Sequence, residues 1–558
     1  MARTRRGSPI LLLAVTLLTT LLVGCTDVDK KDTAEPKDLT NRPNILQLVL
    51  DDVGYSDLGP FGGEVPTPAI DALVKSGVKF TDFHSLPNCS PTRAVLLTGV
   101  DNHKAGLGNM AETLIPEQVG KPGYEGILND RVATVPELLR QEGYHTYMVG
   151  KWHLGSGPMD PANRGFEESF TILQGLGGHF QVQQAYEGAK TTYTRNGRVV
   201  PPPDGVFGAA NDTNQLIDMI DANRADNKPF FAHWAVRMAH DPLQAPADVI
   251  AKFRGKYDQG YDVLRADRVK RMKDMGLIPQ NADTARREPN VEPWTSLTPE
   301  DQQRRIREME VYAAMISVTD TEVGRLVEYL RSVGELDNTQ IVLLSDNGPN
   351  GETIAFYGAD DINRRFDNRL DNIGNRDSFA LYGPGWAQAS VGPYRLYKGF
   401  VAEGGIRTAL VISGPAVVEP GRTSTALAQV SDVSATILEM AGVAHPATFK
   451  DKPILPLQGK SILPVLTNTS DSVHAADEAL SFEIWGRAAV RKGEWKMLWV
   501  EPPYGSGQWE LYNLRTDIAE SKDLSKEQPQ KVDELLADWD RYVKDNGVIL
   551  ALGRGIGG

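Results

Sequence analysis

Four short apolar runs, far apart in the chain, each stop at residues that can do chemistry. NILQLVL (44–50) runs into Asp51 and Asp52, and YHTYMVG (144–150) into Lys151, Trp152 and His153. PFFAHWAV (229–236) leads after a short gap to His240, and TQIVLLS (339–345) runs into Asp346 and Asn347. Mostly apolar runs of this length, separated by helical patterns, predict buried parallel strands. The segments between them read as helices. In ATVPELLRQEGY, Thr134 is placed to cap, Pro136 sits in the first turn and Gly143 stops the helix. Val323, Leu326, Val327 and Leu330 fall on one helical face, with Gly334 as the stop. Strand and helix in alternation predict an α/β fold. In such sheets ligands bind beyond the carboxyl ends of the strands, so the four polar clusters are expected to meet there.

If they meet, Asp51, Asp52, Asp346 and Asn347 offer a set of oxygen donors. Such a set suits a hard divalent cation, Ca²⁺ or Mg²⁺, rather than zinc. Carboxylates crowded together repel one another, and a cation resolves the conflict. It also draws an anionic substrate to the same point.

The chain has 558 residues but only two cysteines, Cys25 and Cys89. Arg3, Arg5 and Arg6 precede the apolar run PILLLAVTLLTTLLV, which is short for a membrane span and reads as an export signal. Its end, LVGC, resembles a bacterial lipobox, which implies cleavage before Cys25 and lipid attachment to it. Arg5-Arg6 is also compatible with twin-arginine export. The polar stretch 26–41 reads as a flexible tether. The expected location is therefore the bacterial periplasm, with the lipid as the only membrane contact. The formal net charge of −14 argues against a nucleic-acid partner. Cys89 is left as a single thiol in an oxidising compartment, where pairing is the rule.

Cys89 opens CSPTRAVLLTG. Pro91 suits a first helical turn, so Cys89 is expected at a helix N-terminus, with Arg93 one turn on. A thiolate nucleophile of the phosphatase or protease kind is one reading. Nothing in the chain resembles the phosphate loop of cysteine phosphatases, however, and a thiolate beside carboxylates is electrostatically awkward. CSPTRAVLLTG instead resembles the C-x-P-x-R motif of the sulfatase family, in which that cysteine becomes Cα-formylglycine. NILQLVLDDVGYSDLGPFGG, YMVGKWHLG, AHDPLQAP, LLSDNG and YKGFVAEGGIRTAL resemble further sulfatase motifs, in the family's order. AGLGNMAE, GKPGYEG and YGPGWAQ look most like bacterial type I arylsulfatases.

The resemblance implies an alkaline-phosphatase-like fold: α/β, with a large mixed, mostly parallel sheet flanked by helices and a smaller C-terminal α+β subdomain. It implies hydrolysis of aryl or alkyl sulfate esters to an alcohol or phenol plus inorganic sulfate. Asp51, Asp52, Asp346, Asn347 and the modified Cys89 match the metal ligands, Ca²⁺ or possibly Mg²⁺. Arg93 and Lys151 match residues that hold the hydrated aldehyde and the sulfate oxygens. His153 matches the base that releases sulfate, with Asp346 as proton acceptor in the first step. His240 and Lys398 match residues that bind sulfate and assist the leaving alcohol. A formylglycine-generating enzyme is implied as maturation partner. Asn347, where related phosphonate monoesterases and choline sulfatases tend to carry histidine, leans towards arylsulfatases. The competing readings are a phosphodiesterase or phosphonate monoesterase on the same scaffold, and a binder of sulfated compounds without turnover.

The expected organisation is a signal and lipidated cysteine over 1–25, a tether over 26–41, a catalytic domain over 42–473 and a C-terminal subdomain over 474–558. In the last, ALSFEIWGRAAVRKGEWKMLWV and QWELYNL read as short antiparallel strands about a Lys-Gly turn, and 528–547 as an amphipathic helix. Packing and pocket shaping are its expected roles. Residues 181–205 and the charged stretch 251–292 are expected to be loops at the substrate entrance.

Overall fold

The four apolar runs form strands β1 (Asn44–Leu50), β2 (His145–Lys151), β3 (Phe230–Ala235) and β4 (Thr339–Ser345), every residue of which is buried. Burial on both faces explains why they read as mostly apolar runs without alternation, and of the polar exceptions Gln47 and His233 bond one another at 2.6 Å across neighbouring strands. They lie side by side in the order β4-β1-β3-β2, all parallel, at the centre of a ten-stranded sheet. The register aligns their ends: Leu50 pairs with Ser345, Val49 with Ala235, and Ala235 with Gly150. The residues that follow therefore emerge along one edge. Glu168–Ile172 extends the parallel run, while Leu410–Ser413 and the hairpin Tyr193–Arg195/Arg198–Val200 pair antiparallel, making the sheet mixed. The computed structural model describes residues 42–550 except 181–183, 187–188 and 204. The expected signal, Cys25 and tether lie outside the described residues. Among the described residues no helix is long and apolar enough to cross a membrane.

Helix α1 (Cys89–Thr98) is buried along its whole length. Asn88 caps it by accepting the Cys89 N–H at 2.8 Å, and Gly99 ends it at φ +65°, a conformation glycine adopts without steric cost. Helix α2 (Val135–Gln141) starts with a reciprocal Thr134–Glu137 capping box and Pro136 in its first turn. The charged stretch 251–292 departs from expectation. It contains helix α3 (Gly260–Asp274), whose Arg265 and Arg268 are buried. Arg268 pairs with Asp57 at 2.5 Å and Glu64 at 2.8 Å, and Arg265 donates to the carbonyls of Gly392 and Tyr394. These two arginines are internal ties, while Lys270 and Asp274 pair on the exposed face, and the active-site cavity takes no wall from the helix. Helix α4 (Pro299–Ser332) is capped by Thr298 and stopped before Gly334.

The C-terminal strands Ala479–Ile484, Arg487–Lys492, Trp495–Trp499 and Trp509–Asn513 form an antiparallel sheet in sequence order. Helix α5 (Pro529–Asn546) covers it, with Leu535 and Trp539 packed against Val490, Met497 and Leu511 in an apolar cluster of their own. His103 ties this layer to the large sheet. Its imidazole bonds Asp101 and Glu483, each at 2.9 Å, and meets the Tyr542 hydroxyl of α5 at 3.3 Å. Burial alone would depress its pKa. The Asp101 carboxylate and the bonds to Asp101 and Glu483 outweigh that and raise it from 6.5 to about 9. A pKa raised on folding contributes stability that is complete below the unfolded value and lost as pH rises through the folded one. The wild type should therefore exceed His103→Asn by about 3 kcal/mol at pH 6, and the gap should close by pH 9.5. Urea melts of both proteins across this range check it; a gap independent of pH would refute the ion pairing.

Candidate active site

Beyond the carboxyl ends of the central strands, the polar clusters close on one point. Asp51 and Asp52 follow β1, Lys151 ends β2, Asp346 and Asn347 follow β4, and all are buried. Asp52 takes φ +61° and His153 φ +57°, left-handed values that turn the chain sharply out of each strand. Helix α1 delivers Cys89 from the side: its Sγ lies 3.6 Å from Asp51 Oδ1 and 3.8 Å from Asp52 Oδ1.

Cations interleave with the carboxylates. Arg93, one turn along α1, donates through Nε and Nη2 to Asp346 Oδ2 at 3.1 and 2.7 Å, and its Nη2 lies 3.5 Å from Asp51. Lys151 Nζ bonds both oxygens of Asp51 at 2.9 and 2.8 Å. Lys398 Nζ does the same to Asp52, at 2.8 Å to each oxygen. Lys398 arrives on a loop whose close backbone packing demands glycine: a Cβ on Gly404 would sit 2.1 Å from the Leu396 carbonyl oxygen, and one on Gly405 1.9 Å from that of Phe400. His240 Nε2 lies 3.5 Å from Asp52, and its Nδ1 bonds the Asp241 carbonyl at 2.8 Å. Asn347 donates to Asp52 at 2.6 Å, while its own Oδ1 is buried without a partner.

The field of this arrangement is uneven. Burial would raise all three carboxyl pKa values. For Asp51 it is overcome by Lys151, His240, Arg93 and Lys398, and for Asp52 by Lys398 and His240, so both are held below the usual carboxylate range. Asp346 goes up, through burial and the neighbouring Asp51. Burial pushes the Cys89 thiol far above its ordinary value against the pull of Lys151 and Lys398, with Asp346 and Asp52 adding to the rise. Cys89 is thus a neutral thiol, and a thiolate nucleophile has no electrostatic support here.

A cavity of about 530 Å³ opens above Cys89. Met110, Leu176, Phe356, Tyr357 and Trp485 make its apolar walls; Glu112, Glu352, His153, His240 and Lys398 bring charge or titratable groups to it. The ten residues matched to catalytic and metal-binding roles therefore meet around this pocket or its floor. Sequence reasoning gave no role to Glu112, which meets His153 Nε2 at 3.3 Å, and missed Glu352. It also missed Trp485, which comes from the turn between the first two C-terminal strands; pocket shaping by that sheet was expected, without a named residue. Thr192, within the stretch expected at the entrance, also lines the cavity. A second clustering of acidic and histidine groups, Asp82, His84 and Glu403, is filled by Arg407, Arg491 and Lys496 and reads as structural.

Comparison with known proteins agrees with this geometry. The sulfatase family model matches residues 43–443, and a model described as the C-terminal part of N-sulphoglucosamine sulphohydrolase matches 392–541. An uncharacterized sulfatase of Schizosaccharomyces pombe is 42% identical, over 92% of this chain and 95% of its own. An arylsulfatase of Klebsiella aerogenes is 39% identical, over 75% of this chain and 91% of its own. The crystal structure of Ps i-CgsB superposes with a TM-score of 0.64 at 25% identity, covering 90% of this chain and 93% of that one. On the breadth of these matches, the chain belongs to the sulfatase family, whose members hydrolyse sulfate esters.

Proposed function

We propose that this protein hydrolyses sulfate monoesters of aryl or alkyl alcohols in the pocket above Cys89, with Cys89 matured to Cα-formylglycine and a divalent cation, Ca²⁺ or Mg²⁺, at its floor. The observation that carries the reading is the buried Cys89, its Sγ 3.6 Å from Asp51 and 3.8 Å from Asp52, with Arg93, Lys151 and Lys398 bound to the surrounding carboxylates. The residues present fit both groups. Asn347 Oδ1 is a buried acceptor with no partner, and the donor set is oxygen with two ammonium groups already drawn to it. Asp51, Asp52, Asp346, Asn347 and position 89 would hold the cation. When bound, the cation supplies Lewis-acid charge and the modified side chain supplies a hydrated carbonyl as nucleophile.

The chain's own residues account for the rest. Arg93 anchors Asp346 through two N–H bonds and fixes where it accepts a proton. Lys151 and Lys398 bring positive charge to the point where sulfate oxygens gather charge as the ester bond breaks. His240 donates its Nδ1–H to the Asp241 carbonyl, which turns Nε2 to the pocket; in the imidazolium form Nε2–H can give its proton to the departing alcohol, leaving the ring neutral. His153 takes a proton when sulfate is released. The apolar walls suit a flat or aliphatic leaving group, and Glu112 and Glu352 oppose a second negative charge on it. From the N-terminal sequence we also infer export, lipidation at Cys25 and a periplasmic location, and we place the subdomain boundary near residue 474.

Initial rates on p-nitrophenyl sulfate and bis-p-nitrophenyl phosphate, with peptide mass spectrometry around Cys89 on protein from its own host, test the reading. The sulfate ester should be preferred and the Cys89 peptide should carry the aldehyde mass. Preference for the phosphodiester, or a plain thiol in active enzyme, would overturn it.

A further inference from the structure

We propose that Glu112 is a positioning residue that locks His153 in its Nε2–H tautomer, so that Nδ1 is the atom with which His153 accepts a proton. This rests on the sulfatase reading above and assigns a role to the last residue of AGLGNMAE.

The step from geometry to tautomer is short. His153 Nε2 lies 3.3 Å from Glu112 Oε1. An ionised carboxylate only accepts hydrogen bonds, so Nε2 must carry the hydrogen. In the neutral ring Nδ1 then has a free lone pair, and Nδ1 is buried with no hydrogen-bond partner. The ring has little freedom to turn. It packs against Gly175, where a Cβ would lie 2.3 Å from Cε1, and its backbone is in the left-handed region.

Glu112 is itself held. It sits in the short turn Ala111–Thr113, whose flanks are pinned from the C-terminal sheet. The Trp485 indole N–H donates to Asn109 Oδ1 at 2.9 Å and to Thr113 Oγ1 at 3.2 Å, and Asn109 Nδ2 donates to the Thr113 carbonyl at 2.8 Å. Burial opposes protonation of the imidazole most, and the other nearby charges, Lys151 and Arg93, are positive and add to that. Glu112, about half exposed, is the anion that balances them, and the contact with His153 holds its own carboxyl down at about 2 against partial desolvation. When a proton moves from an O–H in the site to Nδ1, the positive charge created on the ring is paired with Glu112 through Nε2–H. The proton then passes to water and the ring returns to the same tautomer.

The test uses the full chain labelled with ¹⁵N-histidine, read by ring nitrogen shifts, with His153 assigned from the spectrum missing in His153→Asn. Wild type should show protonated Nε2 and bare Nδ1, with Cys89 matured or not. Glu112→Gln keeps an acceptor and should keep the tautomer, with kcat on p-nitrophenyl sulfate falling only a few-fold. Glu112→Ala should lose the tautomer preference and drop kcat by roughly ten- to a hundredfold, the scale seen for lost orienting partners of functional histidines, with KM little changed. An unaltered His153 spectrum in Glu112→Ala, or a loss confined to KM, overturns the proposal. Failure of the wild type to turn over the sulfate ester would instead overturn the function on which it rests.

Discussion

Cys89→Ala is expected to lower kcat/KM for p-nitrophenyl sulfate by about 10⁴-fold or more while leaving the fold intact, the scale at which removing a covalent nucleophile acts in enzymes. Both halves follow from the surroundings of Sγ. The thiol is buried and its polar contacts are the long approaches to Asp51 and Asp52, so its loss removes little packing and no strong bond. Deleting one buried atom of this size costs about 1 kcal/mol. The charge lattice of Arg93, Lys151, Lys398 and the three aspartates does not pass through sulfur, so the pocket keeps its form. The chemistry has no second route, because the neighbouring carboxylates are occupied: Asp51 by Lys151, Asp52 by Lys398, Asp346 by Arg93. Circular dichroism and a urea melt give the fold; initial rates give the activity. A variant with a tenth of wild-type turnover would mean that position 89 is not the nucleophile.

How much of this was legible in the sequence depends on what kind of element carries each residue. Asp51, Lys151 and Asp346 were readable because strand ends are marked by an abrupt change from apolar to polar, and the parallel register does the rest. Cys89 and Arg93 were readable because helix starts have a grammar, here Pro91 in the first turn and a one-turn spacing; the Asn88 cap emerged only in the structure. Lys398 has no such marker. Its position is set by backbone contacts at Gly404 and Gly405 that span a tight loop, and only the resemblance of YKGFVAEGGIRTAL to a sulfatase motif located it. Glu112 and Trp485 sit in short turns without periodicity, and they meet through a contact between residues more than 370 positions apart. The stretch 251–292 was misplaced for a related reason. A dense run of charges looks solvated, and nothing local reveals that Arg265 and Arg268 find their partners inside the protein.

The same blindness to distant ion pairs hides what holds the C-terminal sheet in place, and Glu403→Gln should expose it, at a cost of about 3–5 kcal/mol. Glu403 is buried and serves three partners: Lys496 Nζ at 2.8 Å, Arg407 Nε at 2.6 Å and His84 Nε2 at 3.1 Å. Lys496 comes from the third C-terminal strand and also pairs with Glu520 at 2.8 Å, while Arg491 of the second strand pairs with Asp82 at 2.9 Å. Asp82, Glu403 and Glu520 thus face Arg407, Arg491 and Lys496, and the acids and bases balance. Lys496 and Arg407 together hold the Glu403 carboxyl well below its ordinary value against the full penalty of burial. Glutamine keeps the shape but leaves one positive charge uncompensated in a buried site, which is the costly way to break a buried pair. Removing the opposing charge as well, in Glu403→Gln/Arg407→Met, should recover part of the loss, because Asp82 keeps Arg491, Glu520 keeps Lys496 and the new apolar side chain needs no partner. Urea midpoints of the wild type, both single variants and the double variant, at matched slope, measure the cycle. If Glu403→Gln costs under about 1 kcal/mol, in the range of exposed pairs, then apolar packing rather than this charge network docks the sheet, and Trp485 reaches the active-site wall without its help.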